Sequence, residues 1–165
     1  MSWSLFLTRT VSTTKLVKVP TDEVILALHQ PPTIVRLNPL VIDCSPDPND
    51  PTLFVVTDNL KVLGVFPTTI KYTVKFSFVE DGFDSVVNAG GGTLLTNKWR
   101  ATAVQDGTEI HEAVIVQAFF LFLPLVMKSL KTSHVALLDN LASKLEGEEA
   151  PQSHSRYRIH SFHPY

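Results

Sequence analysis

Cysteine is nearly missing from this chain: Cys44 stands alone among 165 residues. One thiol excludes an internal disulfide framework and any paired-cysteine metal or redox site. A reducing, cytoplasmic setting is the matching expectation. An excess of either charge is missing too. The 14 Lys and Arg against 16 Asp and Glu leave a formal charge of −2, so no basic field exists to collect nucleic acid or an anionic membrane. Long hydrophobic runs are lacking as well. The stretch Ala113 to Val126 is interrupted by Gln117 and Pro124 and is too short for a membrane helix. The first residues, MSWSLFLTRT, carry no basic leader and too brief an apolar segment for a secretion signal. No GxSxG nucleophile elbow occurs. The glycine cluster Gly90-Gly91-Gly92 is followed by no helix start, which favours a turn or bulge over a phosphate cradle.

Metal chemistry finds equally little support. Of the six histidines, His29, His111, His134, His154, His160 and His163, no two stand at helical i,i+4 spacing with a carboxylate. No metal or other cofactor is expected. Cys44 follows Asp43, whose charge raises a thiol pKa, so it reads as a small packing residue.

What is present is apolar bulk. Hydrophobic residues make up 44% of the chain and charged ones 18%, which fits one compact domain, expected over residues 1–147. After Gly147 the sequence EEAPQSHSRYRIHSFHPY lacks apolar periodicity, so 148–165 is read as a polar, mobile tail. Along the domain, Trp3 to Thr14 alternates like a first strand. Pro20-Thr21-Asp22 opens a short helix, Pro31-Pro32 stops it, and a second short helix is expected over Thr33 to Leu37. Leu40 to Cys44 reads as a brief strand and SPDPNDP as a loop. Thr52 to Val62, Thr68 to Glu80, Phe83 to Ala89, Thr93 to Gln105 and Thr108 to Phe122 follow as strands. Asp81-Gly82 and Asp106-Gly107 supply hairpin turns. One amphipathic helix then runs to Gly147, with Met127, Leu130, Leu137, Leu138, Leu141 and Leu145 at spacings of three and four. A lone long helix closing a strand meander packs on the concave side of a curved sheet. That arrangement tends to leave a cavity between them.

Several residues stand out as possible walls or donors of such a cavity. Tyr72 shares the dry face of its strand with Phe76 and Phe78 and offers one orienting hydroxyl. His134 interrupts the apolar stripe of the long helix. It is either a donor or acid/base toward a ligand or a core imidazole satisfied by backbone or Tyr72. His111 shares a strand face with Ala113, Ile115, Gln117 and Phe119, opposite Ile110, Glu112, Val114, Val116 and Ala118. If the first face is inward, His111 and Gln117 are polar points in an apolar wall; if outward, they meet solvent. Trp99 alternates with Leu95, Asn97, Ala101 and Ala103, where small neighbours leave room for a pocket floor. Met127 and Leu130 would wall it from the helix.

The segment RLNPLVID (Arg36 to Asp43), the run Asn97-Lys98-Trp99, and Phe122-Leu123-Pro124 leading into the long helix resemble the START-like (SRPBCC, polyketide cyclase-like) helix-grip superfamily. More narrowly, the chain is similar to a group of small fungal proteins of this fold met near secondary-metabolite genes. A few small fungal proteins of similar kind look like cofactor-free cyclases, including one that forms a norbornene by intramolecular Diels–Alder reaction. The resemblance implies an α+β fold with about seven strands curved around one C-terminal helix and two short helices after the first strand. It implies apolar ligands such as sterols, phospholipids, polyketides or terpenoids. It also places Arg36 and Asn38 near the cavity mouth, where Arg36 would hold a ligand carboxylate or lie as an ordinary surface residue.

Two functional classes compete. The first is a cofactor-independent cyclase of natural-product biosynthesis acting on a terpenoid or polyketide. Tyr72, His111 or His134 would polarise a carbonyl during a pericyclic or aldol-type closure. The second is a non-catalytic carrier of a lipid or apolar metabolite. A pair of polar residues converging in an otherwise apolar pocket favours the enzyme; a wholly apolar tunnel favours the carrier. The expected partner is a small apolar metabolite, with no nucleic acid or integral membrane contact, and the chain is a monomer or homodimer.

Overall fold

The computed structural model describes residues 5–62 and 66–147. The elements run β1 (Phe6–Val17), α1 (Thr21–Leu28), α2 (Pro31–Val35), β2 (Val41–Pro46), β3 (Leu53–Val62), β4 (Phe66–Val79), β5 (Gly82–Gly90), β6 (Thr93–Val104), β7 (Gly107–Phe119) and α3 (Leu123–Leu145). All seven strands form one antiparallel sheet in the order β1-β7-β6-β5-β4-β3-β2. Strands β2 to β7 are a simple meander, and β1 closes the far side by pairing with β7, Phe6 opposite Phe119 and Val17 opposite Thr108. This is the expected helix-grip arrangement. Among the described residues no helix is long and apolar enough to cross a membrane. The expected tail 148–165, with His154, His160 and His163, lies outside the described residues.

Local sequence explains most boundaries. Pro31 and Pro32 do not only end α1; they open α2, where a missing N–H costs nothing because the first-turn donors have no helical acceptor. The helix therefore starts two residues before the expected Thr33. The Gly90–Gly92 turn has all three glycines at positive φ, which glycine adopts without strain, and a strand rather than a helix follows it. On β4 the dry face holds from Ile70 to Phe76, while Phe78 lies past the core, 60% exposed, with its ring edge-on to His29.

Strand alternation settles which side of β7 is inside. Thr108, Ile110, Glu112, Val114, Val116 and Ala118 are buried, whereas residues 109, 111, 113, 115, 117 and 119 are exposed or half-buried. Helix α3 lies against β1 and β7, with Leu130, Leu137, Leu138 and Leu141 buried beneath it. Its closest approach is to that end of the sheet, so over β3 to β6 it stands off and leaves space between helix and sheet. The apolar interior is accordingly divided into three clusters rather than one.

Two glycines test this packing differently. A Cβ on Gly82 would sit 2.0 Å from the Trp99 carbonyl oxygen across the β5–β6 pair, whereas one on Gly91 meets nothing within 4 Å and suffers only its φ of +57°. Gly91→Ala should cost about 1 kcal/mol. Gly82→Ala should cost at least about 2 kcal/mol, since neither backbone can withdraw without breaking the ladder. Urea midpoints of the two variants check the order; equal losses would contradict the close approach.

Candidate functional site

The space left between the three clusters is a cavity of about 170 Å³. An ordered water needs only roughly 10–15 Å³ by a comparable measure, so there is room for a small organic molecule. Its floor is the inward face of β3 to β6, its roof is the stretch of α3 from Val126 to Leu137, and α2 closes one end. Aromatic walls come from Phe76, Phe83 and Trp99. Phe83 and Trp99 stack with planes 9° apart, and Phe76 meets Phe83 edge-on, so this wall is braced ring against ring.

Two pairs of titratable side chains open onto the cavity. The Tyr72 hydroxyl on β4 reaches both oxygens of Asp58 on β3, at 3.1 and 3.0 Å. The residues meet because Asp58 faces Ile70 in the β3–β4 register, which puts Tyr72 one pleat along on the same face. Burial pushes the Asp58 carboxyl above its ordinary range, against the lowering effects of the Tyr72 hydroxyl and the charge of His134. Burial, followed by the Asp58 charge and hydrogen bond, holds the Tyr72 phenol far above its usual value. The second pair joins helix to sheet. Nδ1 of His134 on α3 lies 2.5 Å from Oε1 of Glu112 on β7, and Glu112 is 1% exposed. With Nδ1–H donating to Glu112 Oε1, Nε2 is the second, free end of the imidazole. Among the described residues Nε2 has no hydrogen-bond partner, and His134 lines the cavity.

The remaining expected residues divide cleanly. Asn38, Phe76, Trp99 and Leu130 line the cavity with Tyr72 and His134. Asn38 is also structural, its Oδ1 accepting from the Leu40 backbone N–H. Arg36 is not at the wall: its guanidinium donates to the Cys44 carbonyl and ties α2 to β2. His111, Gln117 and Phe119 lie on the face of β7 turned away from α3, because the period-two alternation sends Glu112 inward. Met127 packs among Val114, Val116 and Leu123 beside the cavity rather than in it. The imidazole of His134 is held by Glu112, not by backbone or Tyr72. Burial raises the Cys44 thiol, Arg36 opposing and Asp43 adding to the rise, as a packing residue requires.

Asp58, Glu112, Ser85 and Asn97 were not among the expected site residues. Glu112 carried a signal, a carboxylate among Ile110, Val114, Val116 and Ala118. Asp58 sits in the same inward alternation as Val56 and Leu60, and a buried acid there demands a partner.

This sheet and helix form a START-like helix-grip fold. The START superfamily protein from Mycobacterium smegmatis superposes with a TM-score of 0.63 at 12% identity, over 84% of this chain and 97% of that one. Norcoclaurine synthase from Thalictrum flavum gives 0.59 at 18% identity, over 85% and 87%. The di-domain ARO/CYC StfQ from the steffimycin biosynthetic pathway gives 0.63 at 12%, over 86% of this chain but 51% of its own, so the chain spans about half the length of that protein. At these identities the likeness is one of fold. No curated protein sequence matches the chain. Residues 8–147 match the family model described as "Domain of unknown function (DUF7053)", and the chain belongs to that family.

The Asp58 environment has a thermodynamic signature. Its folded pKa lies above its unfolded value. The stability tied to its neutral form is therefore full below about pH 4 and is lost as pH rises through the folded value. Asp58→Asn does not titrate and keeps an acceptor for Tyr72. Its melting midpoint should gain on wild type by roughly 2–4 °C between about pH 4 and pH 7, measured by scanning calorimetry. A difference independent of pH would show that Asp58 is not desolvated.

Proposed function

We propose that this protein is a cofactor-independent cyclase that closes a ring in a terpenoid or polyketide metabolite held in the cavity. One observation carries the proposal: two hydrogen-bonded titratable pairs, Tyr72–Asp58 and His134–Glu112, open onto a single, largely apolar cavity. A carrier needs apolar walls but has no use for two such pairs. Further support comes from the fold neighbours described as an aromatase/cyclase and a synthase.

The chemistry follows from the donors. The cavity holds a flexible substrate with its reacting carbons close, and orientation alone supplies several kcal/mol, of the about 7–11 known for intramolecular reactions. Tyr72 donates to a substrate carbonyl. It has one proton to give, and Asp58 decides where that proton points. An ionised Asp58 draws it to itself, whereas a protonated Asp58 donates to the phenol oxygen and releases the Tyr72 O–H toward the ligand. The raised pKa of Asp58 favours the second state. His134 Nε2 takes a proton from the carbon beside the carbonyl. The carbanion attacks a second carbonyl carbon to make the ring bond, and the proton passes to the new alkoxide, so the formula is unchanged. In a pericyclic closure no proton moves, and Tyr72 alone lowers the barrier by polarising the carbonyl.

Native mass spectrometry of the protein incubated with a crude terpenoid and polyketide extract tests this directly. A bound compound recovered with unchanged mass and a new ring is expected; recovery of an unaltered compound would establish a carrier instead. With that substrate, Tyr72→Phe should lower turnover by about tenfold or more. His134→Gln should lower it by about 100-fold for proton-transfer closure and leave it unaltered for a pericyclic one. Retained turnover in both variants overturns the assignment of these side chains.

A further inference from the structure

The sheet floor holds a second polar point that neither pair above uses. Asn97 on β6 and Ser85 on β5 face each other in register, are 7% and 3% exposed, and both line the cavity. Asn97 Nδ2 donates to Ser85 Oγ at 2.9 Å. Asn97 Oδ1 is fully buried with no hydrogen-bond partner among the described residues, the one such side-chain atom found there. A buried amide oxygen without a partner is unfavourable, a cost that a bound ligand donating to it removes.

The chemistry of the missing partner can be read from the pair. With Nδ2 donating to Ser85, Asn97 Oδ1 is left as a wholly unpartnered acceptor, and the Ser85 hydroxyl hydrogen and the second Nδ2 hydrogen remain as donors. With the amide turned over, Ser85 donates to Oδ1, and the donors at Nδ2 and the lone pairs of Ser85 Oγ are left. Either way at least one donor and one acceptor remain side by side. A ketone or ether oxygen satisfies only the donor, and a hydrocarbon satisfies neither. A hydroxyl group satisfies both. Ser85 and Asn97 lie one and two strands over from Tyr72 and are paired opposite Phe76, four residues along β4, roughly 15 Å at the backbone by the strand spacing and rise. The two polar points therefore address different parts of one molecule.

We infer that Asn97 and Ser85 form a binding subsite for a ligand hydroxyl, so that the cavity selects hydroxylated apolar molecules. The inference rests on the cavity being the ligand site, as proposed above, but not on turnover there. Binding can therefore fail or succeed independently of the cyclase reading.

The test uses 2-naphthol and 2-methoxynaphthalene, which share a skeleton and differ in the hydroxyl proton. Wild-type protein should bind 2-naphthol at least about tenfold more tightly by calorimetry. Asn97→Leu should bring the ratio near one while keeping affinity for 2-methoxynaphthalene, and Ile115→Ala, on the outward face of β7, should leave the ratio in place. Should Asn97→Leu fail to fold, the ¹⁵N side-chain amide resonance of Asn97 in the wild-type protein supplies the readout, assigned by its loss in Asn97→Asp. It should shift with 2-naphthol and not with the ether. Equal affinities in wild type, or an Asn97 resonance unmoved by 2-naphthol, overturns the inference.

Discussion

The contact on which the site depends is the hydrogen bond between Glu112 and His134. A carboxylate 1% exposed is tolerable only with a partner, and removing that partner would leave a buried charge worth several kcal/mol of destabilisation. The requirement ties a point midway along α3 to one rung of β7. Together with the leucines beneath it, the bond seats the helix against β1 and β7. The cavity is the gap this leaves between the helix and the inward faces of β3 to β6. An apolar pair at these two positions would pack the helix as well, but it would leave neither the tautomer nor the ring of His134 defined.

The polar groups of the cavity share a physical logic. Asp58, Asn97, Ser85 and Glu112 all occupy inward strand positions where an aliphatic residue would give a more stable core. The sheet is regular elsewhere, with Val56, Val74, Val87 and Val114 on the same faces. Asp58, Asn97 and Ser85 line one space, and Glu112 reaches it through His134. Local rules are most often broken where function is built.

Much of the fold was legible because it rests on periodicities. The six-strand meander, the helix stripe through Leu130, Leu137 and Leu141, and the two short helices follow from alternation, three-four spacing and proline. Tyr72, Phe76, Trp99 and His134 were legible as inward residues for the same reason. The pairs were not, since Asp58–Tyr72 and Glu112–His134 join residues on different elements, and register alone brings them together. His111 and Gln117 were ambiguous because both faces of β7 carry apolar residues, Ala113 and Ile115 on one side and Val114 and Val116 on the other. Arg36 and Asn38 came from resemblance, and only Asn38 reaches the cavity. The orphaned oxygen of Asn97 has no sequence signal at all, because an unpaired group is a property of its surroundings.

The pairing of β1 with β7 also has a consequence for synthesis. Phe6 pairs with Phe119, so β1 waits for about a hundred more residues to be made, roughly 5–20 s at ordinary elongation rates. During that interval its apolar side chains have no sheet to join. The newborn chain thus passes through a stage in which the meander can form but one of its edges stays open, inviting capture by a chaperone or by another nascent strand.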